Sequence, residues 1–126
     1  ALEQVKMLQF KDKPPHHLSF GQKRKVAIAS VLASEPELLV LDEPSSNLDP
    51  ASRRELIDIL KNLEVSVILV THDLPMALEI CNRSIILNDG KITADDETYR
   101  ILKNEKVMSD NRLELPFGFA LHHLEE

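Results

Sequence analysis

Two short, unbroken apolar runs, Leu38–Leu41 and Val67–Val70, each break off into a polar, chemically active cluster, and this constrains the fold more than any other feature. Apolar runs of this length without alternation fit strands covered on both faces, as in a parallel sheet. Between them, Asp49-Pro50 supplies an N-cap and a proline suited to the first helical position. Leu56, Ile59, Leu60 and Leu63 follow at helical spacing. With the second strand expected over Val65–Val70, the chain contains one βαβ unit, whose crossover should be right-handed. The fold class is α/β, and Asp42-Glu43 and Thr71-His72-Asp73 fall at the carboxyl ends of the strands, where such sheets bind ligands.

Local signals place the other elements. A short helix is expected near Leu2–Phe10, followed by a loop around Lys13-Pro14-Pro15-His16-His17. Ser19 and Gln22 form the S-x-x-Q pattern of a capping box, so a longer helix should begin after Ser19. It should run through Val26, Ala27, Ala29 and Leu32 and stop before Pro36. Another helix is expected over Leu74–Cys81. Asp89-Gly90 between Ser84–Leu87 and Lys91–Ala94 signals a hairpin, and a last helix should lie near Glu97–Asn104. The segment from Met108 onward carries no clear signal.

Composition excludes several classes. A length of 126 residues suits one domain, and 43% hydrophobic with 29% charged residues is a globular balance. The apolar runs are far too short to cross a bilayer. Glu3, Lys6, Lys11 and Asp12 interrupt any signal-peptide pattern at the start. The single cysteine, Cys81, excludes an internal disulfide and reads as a buried free thiol in a reducing setting. A formal charge of −6, from 21 acidic and 15 basic residues, argues against nucleic-acid binding. The one basic run, Lys23-Arg24-Lys25, reads as a solvated helix face.

Three places carry candidate chemistry. Adjacent carboxylates ending a buried strand are costly unless they meet a cation or donors, and alternation along the strand gives Asp42 and Glu43 different tasks. Asp42 is placed to hold Mg²⁺, and Glu43 to orient and deprotonate a water. A polar loop that merely begins there explains the pair as well. Ser19, Gly21 and Gln22 open a helix whose free N–H groups and positive dipole end favour a phosphate, although a well-capped helix needs nothing more. His72 can hydrogen-bond a phosphate oxygen and sense its loss, or serve as a structural polar contact.

The combination is far more specific than its parts. L-S-F-G-Q, L-L-V-L-D-E-P, S-S-N-L-D and V-T-H-D, in this order, closely resemble the ABC ATPase family over about Leu2 to Pro116. The resemblance implies that Ser19 and Gly21 belong to the signature, with Gln22 beside them. It makes Asp42 and Glu43 the Walker B pair, Asn47–Asp49 the D-loop and His72 the switch histidine. It further implies ATP and Mg²⁺ as ligands, a second ATPase domain and membrane-embedded transporter subunits as partners, and a place on the inner face of the cell membrane. Ser19 and Gly21 would touch nucleotide held by the partner. Asp42, Glu43 and His72 would act on their own subunit's nucleotide, and Asp49 would couple the two sites. P-P-H-H-L-S with E-P-E-L-L-V-L-D-E-P is similar to the ATPase subunits of cobalt, nickel and energy-coupling-factor importers. His16-His17 and His122-His123 are assigned no metal.

The chain departs from the family pattern twice. Phe20 stands where the usual signature has its first glycine, and its ring is expected to turn toward protein. More important, G-x-x-x-x-G-K-[ST] occurs nowhere, and the three glycines, Gly21, Gly90 and Gly118, cannot hide it. The expected architecture, over residues 1–126, is therefore a partial P-loop NTPase core of parallel strands, the C-terminal part of an ABC ATPase without its N-terminal strand and Walker A loop. A non-catalytic interaction remnant is the alternative. So is the C-terminal lobe of a soluble DNA-maintenance ABC ATPase, which should carry a long heptad segment that is not seen.

Overall fold

The structure, a computed structural model, describes residues 1–119. Its contacts divide the chain into two compact units, Ala1–His72 and the part beginning at Asp73.

In the first unit, α1 (Phe20–Leu32), β1 (Leu38–Asp42), α2 (Pro50–Lys61) and β2 (Ser66–Val70) follow in order, after 3₁₀ turns at Leu8–Phe10 and Pro15–His17. The capping box forms as its sequence dictates: Gln22 N–H donates to Ser19 Oγ at 3.2 Å, and Ser19 N–H donates to Gln22 Oε1 at 2.9 Å. Asp49 caps α2 by accepting from Ser52 N–H at 2.7 Å, with Pro50 at the first helical position. β1 and β2 pair in parallel, from Leu38 opposite Ser66 to Asp42 opposite Val70. Ile28, Ala29, Leu32, Leu39, Leu56, Ile57, Ile59 and Leu60 form the buried centre, joined by Val5, Met7 and Leu18.

Several expectations change here. The strands are covered on one face only: Leu39 is 2% exposed, whereas Leu38, Val40, Ile68 and Val70 are 48–59% exposed. Leu38, Val40 and Asp42 share the open face because side chains alternate. No regular helix spans Leu2–Phe10. Val5 and Met7 are both buried, a two-residue spacing that a helix would send to different faces. Lys6 between them turns the chain with φ +59°. The basic run is not a uniformly solvated face either, because Lys25 is 7% exposed and ion-paired with Glu55 of α2.

The second unit comprises α3 (Leu74–Ile80), β3 (Arg83–Asn88), β4 (Lys91–Glu97), α4 (Thr98–Lys103) and α5 (Glu105–Asp110). Asp73 caps α3 by accepting from Met76 N–H at 3.1 Å. β3 and β4 form the expected hairpin, turning through Asp89 (φ +52°) and Gly90 (φ +74°), the left-handed pair of a tight two-residue turn. The helix expected near Glu97–Asn104 forms as α4, and a further helix follows it. Asn104 leaves helical geometry and accepts from Val107 N–H at 3.1 Å, so it caps a second helix, α5. Cys81 is half-buried rather than buried, and the partial burial raises its thiol pKa.

The open apolar face of β1 and β2, with a strand edge beside it, templates association. The isolated chain should therefore grow in apparent mass with concentration when light scattering follows size-exclusion chromatography. Val40→Thr with Ile68→Thr should suppress that growth. A monodisperse monomer at every concentration would contradict the assignment of this face as sticky.

Candidate functional site

The site begins where β1 ends. Glu43 N–H donates to the Val70 carbonyl at 2.7 Å, carrying the pairing with β2 one residue beyond Asp42. The backbone of Glu43 then turns left-handed, with φ +47°, which is uncommon for a residue with a Cβ. That turn aims its carboxylate across the strand ends at the Thr71-His72 segment. Glu43 Oε1 accepts from His72 N–H at 3.1 Å and lies 2.5 Å from His72 Nδ1, while Oε2 accepts from Thr71 Oγ1 at 3.3 Å. Two residues singled out separately in the sequence thus form one unit. The His72 side chain is 84% exposed, so the rest of its ring faces solvent.

Asp42, at the end of β1, is exposed on the open face. Among the described residues no group of three or more His, Cys, Asp or Glu could hold a metal ion by itself. A lone exposed carboxylate fits the way Mg²⁺ is usually held, through one or two carboxylates with phosphate oxygens and water. His16 and His17 pack ring edge to face at 4.2 Å on the surface. His122 and His123 lie outside the described residues.

The second part of the site is the start of α1. Ser19 Oγ accepts from Gln22 N–H, which leaves its hydroxyl hydrogen available to donate. Gln22 spends its side-chain oxygen on the cap. The N–H groups of Phe20 and Gly21 open the helix without intrahelical acceptors. Gly21 also has a packing reason to be glycine: a Cβ there would lie 2.9 Å from Ser52 Oγ and 3.0 Å from Ser52 Cβ. Asp49 stands at the start of α2, and hydrogen bonds from Ser52, the backbone one first, lower its carboxyl pKa.

Two features escaped the sequence reading. Phe20 does not turn toward protein: it is 62% exposed, with the Arg24 guanidinium 5.8 Å from its ring centroid. Arg24 also reaches from α1 to the turn after β1, where Nη1 donates to the Pro44 carbonyl and, at 3.4 Å, to the Glu43 carbonyl. The spacing of Phe20 and Arg24 along one helix face was the available signal. The carbonyls they serve are remote in sequence.

The family resemblance of the motifs agrees with comparisons to known proteins. A family model described as "AAA domain, putative AbiEii toxin, Type IV TA system" matches residues 11–79. A putative ABC transporter ATP-binding protein of Streptomyces avermitilis is 66% identical over 119 residues, covering 94% of this chain and 45% of that protein. The energy-coupling factor transporter ATP-binding protein EcfA1 of Bacillus subtilis is 42% identical, covering 98% of this chain and 45% of that one. Among solved structures, cbiO1 from Clostridium perfringens, part of the ABC transporter complex cbiONQ, superposes with a TM-score of 0.75 at 34% identity. The match covers 99% of this chain and 51% of that one. The chain thus spans about half the length of the relatives it matches.

Two outcomes follow from the helix starts. Gly21→Ala should destabilise the first unit by about 1–3 kcal/mol in chemical denaturation, through forced overpacking, and Ser52→Gly should relieve part of that loss. Because the folded pKa of Asp49 lies below its unfolded value, its cap stabilises above the unfolded pKa, and the contribution fades as pH falls through the folded one. Asp49→Ala should therefore lower Tm at neutral pH, and the gap to wild type should close in acid.

Proposed function

Because the chain belongs to the AAA-domain family whose model matches residues 11–79 and is similar to ABC transporter ATP-binding proteins, we propose that it carries the signature and hydrolytic segments of an ATPase that powers membrane import. The observation that carries this reading is the Glu43–His72 pair, whose carboxylate and imidazole meet at 2.5 Å on the carboxyl edge of the sheet. No helix among the described residues is long and apolar enough to cross a membrane, and on this reading the ATPase works with membrane-embedded transporter subunits.

In the proposed mechanism Glu43 is the general base. Oε1 is engaged by His72, and Oε2, with the longer contact to Thr71, is the oxygen freer to take a proton from the attacking water. The side chain is 31% exposed, enough for that water to reach it. His72 keeps the carboxylate oriented and turns its exposed ring face toward the γ-phosphate. Asp42 would hold Mg²⁺, which when bound offsets charge on the phosphate oxygens. Ser19, through its free hydroxyl hydrogen, and the N–H of Gly21 would bind the γ-phosphate of nucleotide held by a second ATPase domain, with Gln22 fixing the cap. Asp49, fixed at the start of α2, would link the two sites. The cobalt, nickel or vitamin importers are the favoured subclass, supported by similarity to the energy-coupling factor ATPases and to cbiO1. The acidic charge speaks against a nucleic-acid partner.

The phosphate-cradling sequence is not among these 126 residues, so the chain alone should show no saturable binding of Mg-ATP in calorimetric titration. In a full-length ABC ATP-binding protein carrying this chain, Glu43→Gln should keep ATP binding and slow hydrolysis by roughly 10²–10⁴-fold. Turnover at the normal rate would remove Glu43 as the base.

A further inference from the structure

We propose that Arg24 is the positioning residue for Glu43 and that the exposed ring of Phe20 aims it. The proposal rests on the reading of Glu43 as the base. Glu43 holds a left-handed backbone, and such a conformation persists only when its surroundings over-determine it. One restraint is the bond from Glu43 N–H to Val70. Another arrives from α1, where Arg24 Nη1 donates to the carbonyls of both Glu43 and Pro44, joining the Ser46 N–H that also donates to the Glu43 carbonyl at 3.2 Å. The turn is thus gripped on its amide side by β2 and on its carbonyl side by Arg24. A guanidinium is suited to this task, because its donors form a rigid planar fork that always carries charge.

Phe20 lies one helical turn before Arg24 on the same face, with the guanidinium over its ring at 5.8 Å. Without that platform a long side chain on a helix surface samples several rotamers. The departure from the usual signature therefore has a use in this chain. It connects the first turn of α1, where the proposed partner nucleotide would bind, to the base of the same subunit. A role in hydrolysis does not require Arg24 to touch substrate. It acts by fixing which way the Glu43 carboxylate faces.

Amide hydrogen exchange followed by NMR on the isotope-labelled chain tests this without nucleotide. Arg24→Gln should lower protection of the Glu43 and His72 amides about tenfold, the scale of one hydrogen bond to a charged donor. The other amides of the β1–β2 ladder should keep theirs. Phe20→Ala should act in the same direction but more weakly, and Arg24→Lys should restore part of the protection. Arg24→Gln should also shift the ring-nitrogen resonances of His72, whose Nδ1 faces Glu43. Unchanged amides at Glu43 and His72 would overturn the proposal, and so would a uniform loss across β1, β2 and α2, which marks a mere strut. A selective loss in Arg24→Gln with Phe20→Ala unchanged would overturn the part given to the ring. Failure here leaves the chemistry of Glu43 standing, whereas normal hydrolysis by Glu43→Gln would remove the base and leave this clamp intact.

Discussion

The hydrogen bond from Glu43 N–H to the Val70 carbonyl extends the parallel ladder past its last apolar residues, and the candidate site depends on that extension. Parallel pairing with Asp42 opposite Val70 brings the residue after each strand to its counterpart, so Glu43 meets Thr71 and His72 by register. A slip of one residue would turn the buried Leu39 outward and carry Glu43 away from its partners together. The hydrophobic pattern that fixes the core therefore also fixes the distance between the Glu43 carboxylate and the His72 imidazole. Fold and site share a single constraint.

The two helices that flank this sheet are tied by charge as well as by apolar packing. Lys25 is buried, and the carboxylate it meets belongs to the half-exposed Glu55 of α2. Gly21 admits α2 at close range, and Asp49 caps that helix nearby. The signature turn and the loop leading to α2 are thus held by neighbouring contacts, which links the two proposed nucleotide-facing segments within one unit.

Local rules made much of the fold legible. The capping box at Ser19 and Gln22, the Asp49-Pro50 helix start and the Asp89-Gly90 turn depend on residues a few positions apart, and each formed as read. The βαβ order was legible from the apolar runs, but their coverage was not. Whether Val40 and Ile68 face protein or solvent depends on which layers pack there, and the sequence of the strand is silent on that. The helix expected at the start failed because Val5 and Met7 answer to a core built by later residues. At the site, Glu43 and His72 were identified singly from their motifs. Their contact, the grip of Arg24 and the exposure of Phe20 all involve partners remote in the chain.

The left-handed backbone at Glu43 sets an opposition between durability and chemistry. For a residue with a Cβ that conformation costs roughly 1–2 kcal/mol, and glycine adopts it without that penalty. A population of this protein selected for heat resistance alone would be drawn toward glycine at position 43, the residue that the proposed reaction can least spare. Thermal hardening of this unit should therefore arise elsewhere, at helix surfaces and caps, and position 43 can serve as a gauge of which pressure has shaped a given variant.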